Sequence, residues 1–143
     1  MILFCDTSAL IKLHLQEAYS QEMLQLAGTA TAIAVCRIAW AEAMAALSRR
    51  AREMPADAAV IETCKEDVKS AWANYAIVEI TQPLMQMAGE LADAFALRAY
   101  DSVQLACVRT LNQGTNEDLI FACFDKRLQK AAMMLGIESF GPD

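Results

Sequence analysis

Two apolar runs in this chain each end on an aspartate, and that pairing restricts the fold more than any other feature. Ile2-Leu3-Phe4-Cys5 is closed by Asp6, and Leu119-Ile120-Phe121-Ala122-Cys123-Phe124 by Asp125. Runs without polar alternation suit strands covered on both faces, as parallel strands in α/β proteins are. Ligands collect beyond the carboxyl ends of such strands, so both carboxylates are candidate site groups.

Between these runs the pattern switches repeatedly between strand and helix. Asp6-Thr7-Ser8 supplies N-cap chemistry for a helix through Leu10, Ile11 and Leu13, and Ser20 opens another that ends near Gly28. Thr31 to Val35 predicts a second strand. Alanine-rich Ile38 to Glu53 predicts a long helix stopped by Pro55, with Ala56 to Ala73 as its antiparallel partner. Tyr75 to Ile80 reads as a third strand, followed by a helix that Thr81 caps and that runs to about Ala96. A further helix spans about Tyr100 to Leu111, and Asn112 to Asn116 reads as a loop. Leu119 to Phe124 is then the fourth strand, Lys126 to Leu135 the last helix with Gly136 as its stop, and Ile137 to Phe140 an edge strand. Strands separated by helices predict an α/β fold with a central, mostly parallel sheet of four or five strands. At 143 residues, 56% of them hydrophobic, the chain fits one domain spanning 1–143.

Two more acids stand in unusual company. Glu42 has Ile38, Ala39, Ala45 and Ala46 as helical neighbours, and Asp101 has Leu97, Leu105 and Ala106 around it. Each of the four acids has a plainer role open to it. Asp6 and Asp125 suit helix caps, Asp101 suits the positive end of a helix dipole, and Glu42 suits a solvated charge or a partner for Arg49. Gathered at one sheet edge, however, four carboxylates would repel one another unless a divalent cation neutralised them. An all-oxygen donor set suits magnesium, with manganese as an alternative, and such an ion activates water and polarises a phosphoryl group.

Other chemistry is poorly represented. No phosphate-binding glycine loop, dinucleotide fingerprint or nucleophile elbow is present. The five cysteines lack C-x-x-C spacing and read as buried thiols, and the single histidine, His14, reads as a surface or hydrogen-bonded helix residue. A net charge of −6 argues against broad nucleic-acid coating, yet permits a local basic rim around an acidic site. No basic leader and no apolar stretch of about 20 residues is evident, so a soluble, cytoplasmic protein with no membrane association is expected.

Four segments together resemble the PIN-domain ribonucleases, and within them the VapC toxins of bacterial toxin–antitoxin pairs. Cys5 to Leu13 resembles the opening strand and first acid, and Trp40-Ala41-Glu42 the helix-borne second acid. Leu97 to Ala106 is similar to the third-acid segment, and Phe124-Asp125-Lys126-Arg127-Leu128 to the closing one. One departure is Cys123, where many relatives carry a hydroxyl residue two positions before the last aspartate. The resemblance implies a three-layer α/β/α fold and hydrolysis of RNA phosphodiester bonds with Mg2+ or Mn2+ held by Asp6, Glu42, Asp101 and Asp125. It further implies a homodimer and a cognate antitoxin. Thr7 and Ser8 are candidates to support the first acid, and Lys12, Arg98, Lys126 and Arg127 are candidate phosphate contacts. Met23, Leu24, Leu26, Trp72 and Tyr75 supply apolar surface that a dimer would cover. A catalytically inactive protein of this fold, or another metal-dependent nuclease or phosphatase, is the alternative.

Overall fold

The most apolar strand takes the most covered place. β1 (Ile2–Cys5) lies at the centre of a five-stranded sheet of order β3-β2-β1-β4-β5, flanked by β2 (Ala32–Cys36) and β4 (Leu119–Ala122). β3 (Ala76–Val78) and β5 (Ser139–Phe140) form the edges, and every pairing is parallel. The computed structural model describes residues 1–142.

The two-residue alternation of β1 divides the core into layers. Ile2 and Phe4 join Leu84, Ala88 and Leu91 of α5 (Gln82–Phe95), Val103, Leu105, Ala106, Cys107 and Val108 of α6 (Ala99–Gly114), and Leu128 of α7 (Lys126–Met134). Leu3 and Cys5 face the opposite layer, with Leu10 of α1 (Thr7–Lys12), Met23 of α2 (Ser20–Thr29) and Ala39 and Ala43 of α3 (Ala39–Glu53). The result is a three-layer α/β/α arrangement. Phe4 and Phe121 meet edge to face in adjacent strands, with ring centres 5.8 Å apart. Truncating either fully buried ring costs about 3–5 kcal/mol.

A satellite core of Leu15, Leu47, Ile61, Cys64 and Val68 joins α3 to α4 (Ala58–Trp72), after a single 3-10 turn at Pro55–Asp57. This is the hairpin that the sequence predicts. The residues expected to be left over for a dimer mostly pack inward. Met23 is fully buried, and Leu26, Trp72 and Tyr75 pack against the core, so only Leu24 remains largely exposed.

Two further expectations are corrected. α6 continues to Gly114, so the first three residues of the expected 112–116 loop are helical. Seven successive buried residues, Ser102 to Val108, fix that helix, and the weak helix preference of Asn112 does not end it. The last strand shrinks to two residues at an edge. All five cysteines are free and buried, and among the described residues no helix is long and apolar enough to cross a membrane.

Candidate active site

β1 and β4 are adjacent and parallel, so the residues that follow them emerge at the same edge. Asp6 donates its backbone N–H to the Ala122 carbonyl at 3.1 Å, extending the ladder by one step. Its side chain then caps α1, with Oδ1 accepting from the Ala9 N–H at 2.9 Å and from the Ser8 hydroxyl at 2.6 Å. The Ser8 oxygen in turn accepts from the Phe124 N–H at 3.2 Å. Ser8 therefore ties the first acid to the strand end that precedes Asp125. Asp125 caps α7 in the same manner, its Oδ1 accepting from the Leu128 N–H at 2.9 Å.

Both capping roles are thus real, and they do not exclude a second role. A cap occupies one carboxylate oxygen. The hydrogen bonds that reach Asp6 and Asp125 from oxygen and nitrogen donors all fall on Oδ1.

Glu42 stands in the first turn of α3 and is not paired with Arg49, whose guanidinium binds Glu53 at 2.8 Å. Instead its Oε1 accepts from the Thr7 hydroxyl and from the Gln104 amide, each at 2.9 Å, while the same amide lies 3.3 Å from the Thr7 oxygen. Three helices are joined at that point, and each carries or adjoins an acid. Gln104 is 3% exposed, and its Oε1 is the only buried side-chain nitrogen or oxygen among the described residues without a hydrogen-bond partner. Turning the amide over would set its oxygen against the Glu42 carboxylate, so the charge of Glu42 fixes the orientation.

Asp101 is half-buried in the first turn of α6, and no hydrogen bond within the described residues reaches its carboxylate. Burial raises its pKa above the ordinary range, and the charges of Asp125 and Glu42 add to this, while Arg98 and Arg127 oppose it. Asp6 is pushed up to about 6, mainly by burial, with the Asp101 charge a smaller contribution and the Ser8, Ala9 and Cys123 hydrogen bonds acting the other way. The other three predicted acids are therefore within electrostatic reach of Asp101. The larger cause of the raised values is loss of water, and like-charge crowding adds to it.

The acids do not share one hollow. Asp101 and Asp125 line one with Arg98, Lys126 and Arg127, whereas Glu42 lines a neighbouring hollow with Ile38, Ala41, Ala45 and Tyr100. Among the described residues no three His, Cys, Asp or Glu side chains form a ready-made metal cage. The donor chemistry nevertheless fits a hard cation. The four acids offer carboxylate oxygens only, Asp101 is unengaged, and a cation would offset the cost of holding Asp6 ionised in a buried place. The departure at Cys123 places a thiol 3.4 Å from the Asp125 carbonyl and against Asp6. Burial, followed by the Asp6 charge, holds that thiol far above its ordinary pKa, so it stays a neutral donor.

Three of the four candidate cations flank Asp101, while Lys12 turns away to bind Glu17 at 3.0 Å. His14 is satisfied by the Tyr75 hydroxyl at 2.7 Å. Gln104 was the functional residue that sequence reasoning missed. Its signal was present, since an amide three residues after Asp101, between Val103, Leu105 and Ala106, must lie on the buried face of its helix.

Residues 3–133 match the family described as PIN domain. Ribonuclease VapC45 and Ribonuclease VapC49 of Mycobacterium tuberculosis are each 32% identical to the chain over 135 residues, which is 94% of this chain and 92% of theirs. Among solved structures, VapBC2 from Rickettsia felis, bound to a DNA fragment from its promoter, superposes with a TM-score of 0.65 at 13% identity, covering 100% of both chains. At that identity the likeness concerns the fold alone.

Proposed function

The chain belongs to the PIN domain family, and from that premise we propose that it is a metal-dependent endoribonuclease hydrolysing RNA phosphodiester bonds, the toxin of a VapBC-type toxin–antitoxin pair. The observation that carries this is Asp101: a half-buried carboxylate without a protein donor, coupled to three further carboxylates at one sheet edge. Asp6 and Asp101, with Glu42 and Asp125, would hold Mg2+ or Mn2+. When bound, such an ion supplies an activated water and neutralises charge on the phosphoryl oxygens.

The chain's own residues do the positioning. Ser8 and the Ala9 N–H fix Asp6, and Thr7 with Gln104 fixes Glu42, so neither carboxylate must be ordered when substrate arrives. Arg98, Lys126 and Arg127 surround Asp101 without closing an ion pair on it, and remain available to the backbone phosphates of RNA. The presence of all four acids weighs against an inactive protein of this fold. The ribonuclease names of the two relatives support RNA as substrate over other phosphate esters. The same reading makes the protein a cytoplasmic homodimer held by a cognate antitoxin, and exposed Leu24, Met54 and Val60 offer surface for such contacts.

The test is cleavage of a labelled, unstructured RNA by purified protein. Cleavage should require Mg2+ or Mn2+, stop with EDTA, and fall by orders of magnitude in Asp101→Asn. Undiminished cleavage by a folded Asp101→Asn protein would refute the assignment.

A further inference from the structure

Among the described residues, half of the cations in this chain already form ion pairs. Of the 12 lysines and arginines, Lys12, Arg37, Arg49, Arg50, Lys65 and Lys69 form ion pairs. The other six are Arg52, Arg98, Arg109, Lys126, Arg127 and Lys130, and four of these gather at the N-terminus of α6 and along α7. They form a positive strip that begins beside Asp101 and Asp125 and leads away from them along α7.

The strip has a shape to match. Lys126 lines the hollow of Asp101 and Asp125, and it also lines a second hollow of about 400 Å³ between α7 and β5. Gln129, Lys130 and Met133 form one wall of that second hollow, and Ser139, Phe140, Gly141 and Pro142 the other. The lining is mainly apolar, Met133 is 61% exposed, and Lys126 and Lys130 bring the charge. A mainly apolar hollow that carries two cations fits a nucleotide, whose phosphate needs charge and whose base needs a surface to lie against.

We infer that this α7–β5 hollow is a nucleotide subsite, holding the RNA strand beyond the scissile phosphate, with Lys126 and Lys130 on successive backbone phosphates. The inference rests on the ribonuclease reading and deepens it, since it states where the strand goes after leaving the acids. The shared Lys126 is the link, because a chain with one phosphate per residue can follow cations that line adjoining hollows. An acidic peptide would satisfy the lysines equally well. It has no reason to continue into the hollow of Asp101 and Asp125, whereas a strand whose scissile phosphate belongs there must pass.

Binding of a fluorescent oligoribonucleotide of about ten residues, in calcium to suppress turnover, tests this by its salt dependence. Each phosphate contact on a single strand contributes about 0.7 to the slope of log K against log salt. Lys130→Ala should lower the slope by about 0.7 and weaken binding by about five- to tenfold at about 50 mM salt, and Lys126→Ala/Lys130→Ala should lower the slope by about 1.4. Arg52→Ala, which removes the same charge from the far end of α3, should leave the slope at the parental value. A parental slope in Lys130→Ala overturns the subsite while leaving the ribonuclease reading intact, provided the parent still cleaves RNA. Loss of binding to an acidic peptide with no change towards RNA overturns it in favour of a protein partner. A parent that neither binds nor cleaves RNA overturns the underlying reading itself.

Discussion

Asp6→Asn should make the metal-free protein more stable while abolishing its activity. The carboxyl of Asp6 is raised from an ordinary 3.8 to about 6, chiefly by burial. A shift of about 2 units, at about 1.4 kcal/mol each, is about 3 kcal/mol by which ionised Asp6 weakens the fold at pH 7. The sign follows from proton binding. The folded state holds this proton more tightly than the unfolded chain does, so the favourable contribution is complete below about pH 4 and is lost as pH rises through about 6. Asparagine keeps an oxygen for the Ser8 and Ala9 donors, and brings an N–H2 group whose burial costs about 1 kcal/mol. The net gain at pH 7 is therefore about 2 kcal/mol, roughly 5–8 °C in Tm, and it should vanish or reverse near pH 4. Urea and thermal unfolding in EDTA from pH 4 to 7.5, beside an RNA cleavage assay with Mg2+, measure both sides. An Asn variant less stable than the parent at pH 7, or a stability difference independent of pH, would refute the electrostatic argument. A variant that gains stability and still cleaves RNA at the parental rate would refute the catalytic one.

Gln104→Leu removes the amide that holds Glu42 together with an acceptor that has no partner, so stability should change by less than about 1 kcal/mol while kcat falls about 10- to 100-fold. Mn2+ titration followed by electron paramagnetic resonance should show weaker binding in this variant, and unchanged binding would reduce Gln104 to a packing residue. Gly141→Ala should destabilise by about 1–3 kcal/mol, because a Cβ there would lie 2.0 Å from the Cys123 carbonyl oxygen and push β5 off β4; thermal unfolding checks this. Analytical ultracentrifugation should find a dimer at tens of micromolar, and Leu24→Glu, at an exposed position of α2, should shift it towards monomer.

The amino-acid sequence by itself determined the layers and the site's address. Four-residue apolar runs such as Ile2 to Cys5 have no polar face to give to water, so they must be central strands, and a parallel sheet must present the residues after them at one edge. Asp6 and Asp125 were therefore legible without coordinates. Glu42 and Asp101 were legible as charges on apolar helix faces, since such placement contradicts the helix's own pattern. Neither the end of α6 nor the fate of Met23, Trp72 and Tyr75 could be read this way, because tertiary burial decided both. The same holds for the links that arm the site. Thr7 and Glu42 are 35 residues apart, Glu42 and Gln104 62, and Ser8 and Phe124 116, and a hydrogen bond between such residues leaves no periodic trace in the chain. Periodicity records which face of an element is buried. Only the folded packing of α1, α3 and α6 against β1 records which polar atoms meet there, and those meetings set the charge and orientation of the acids.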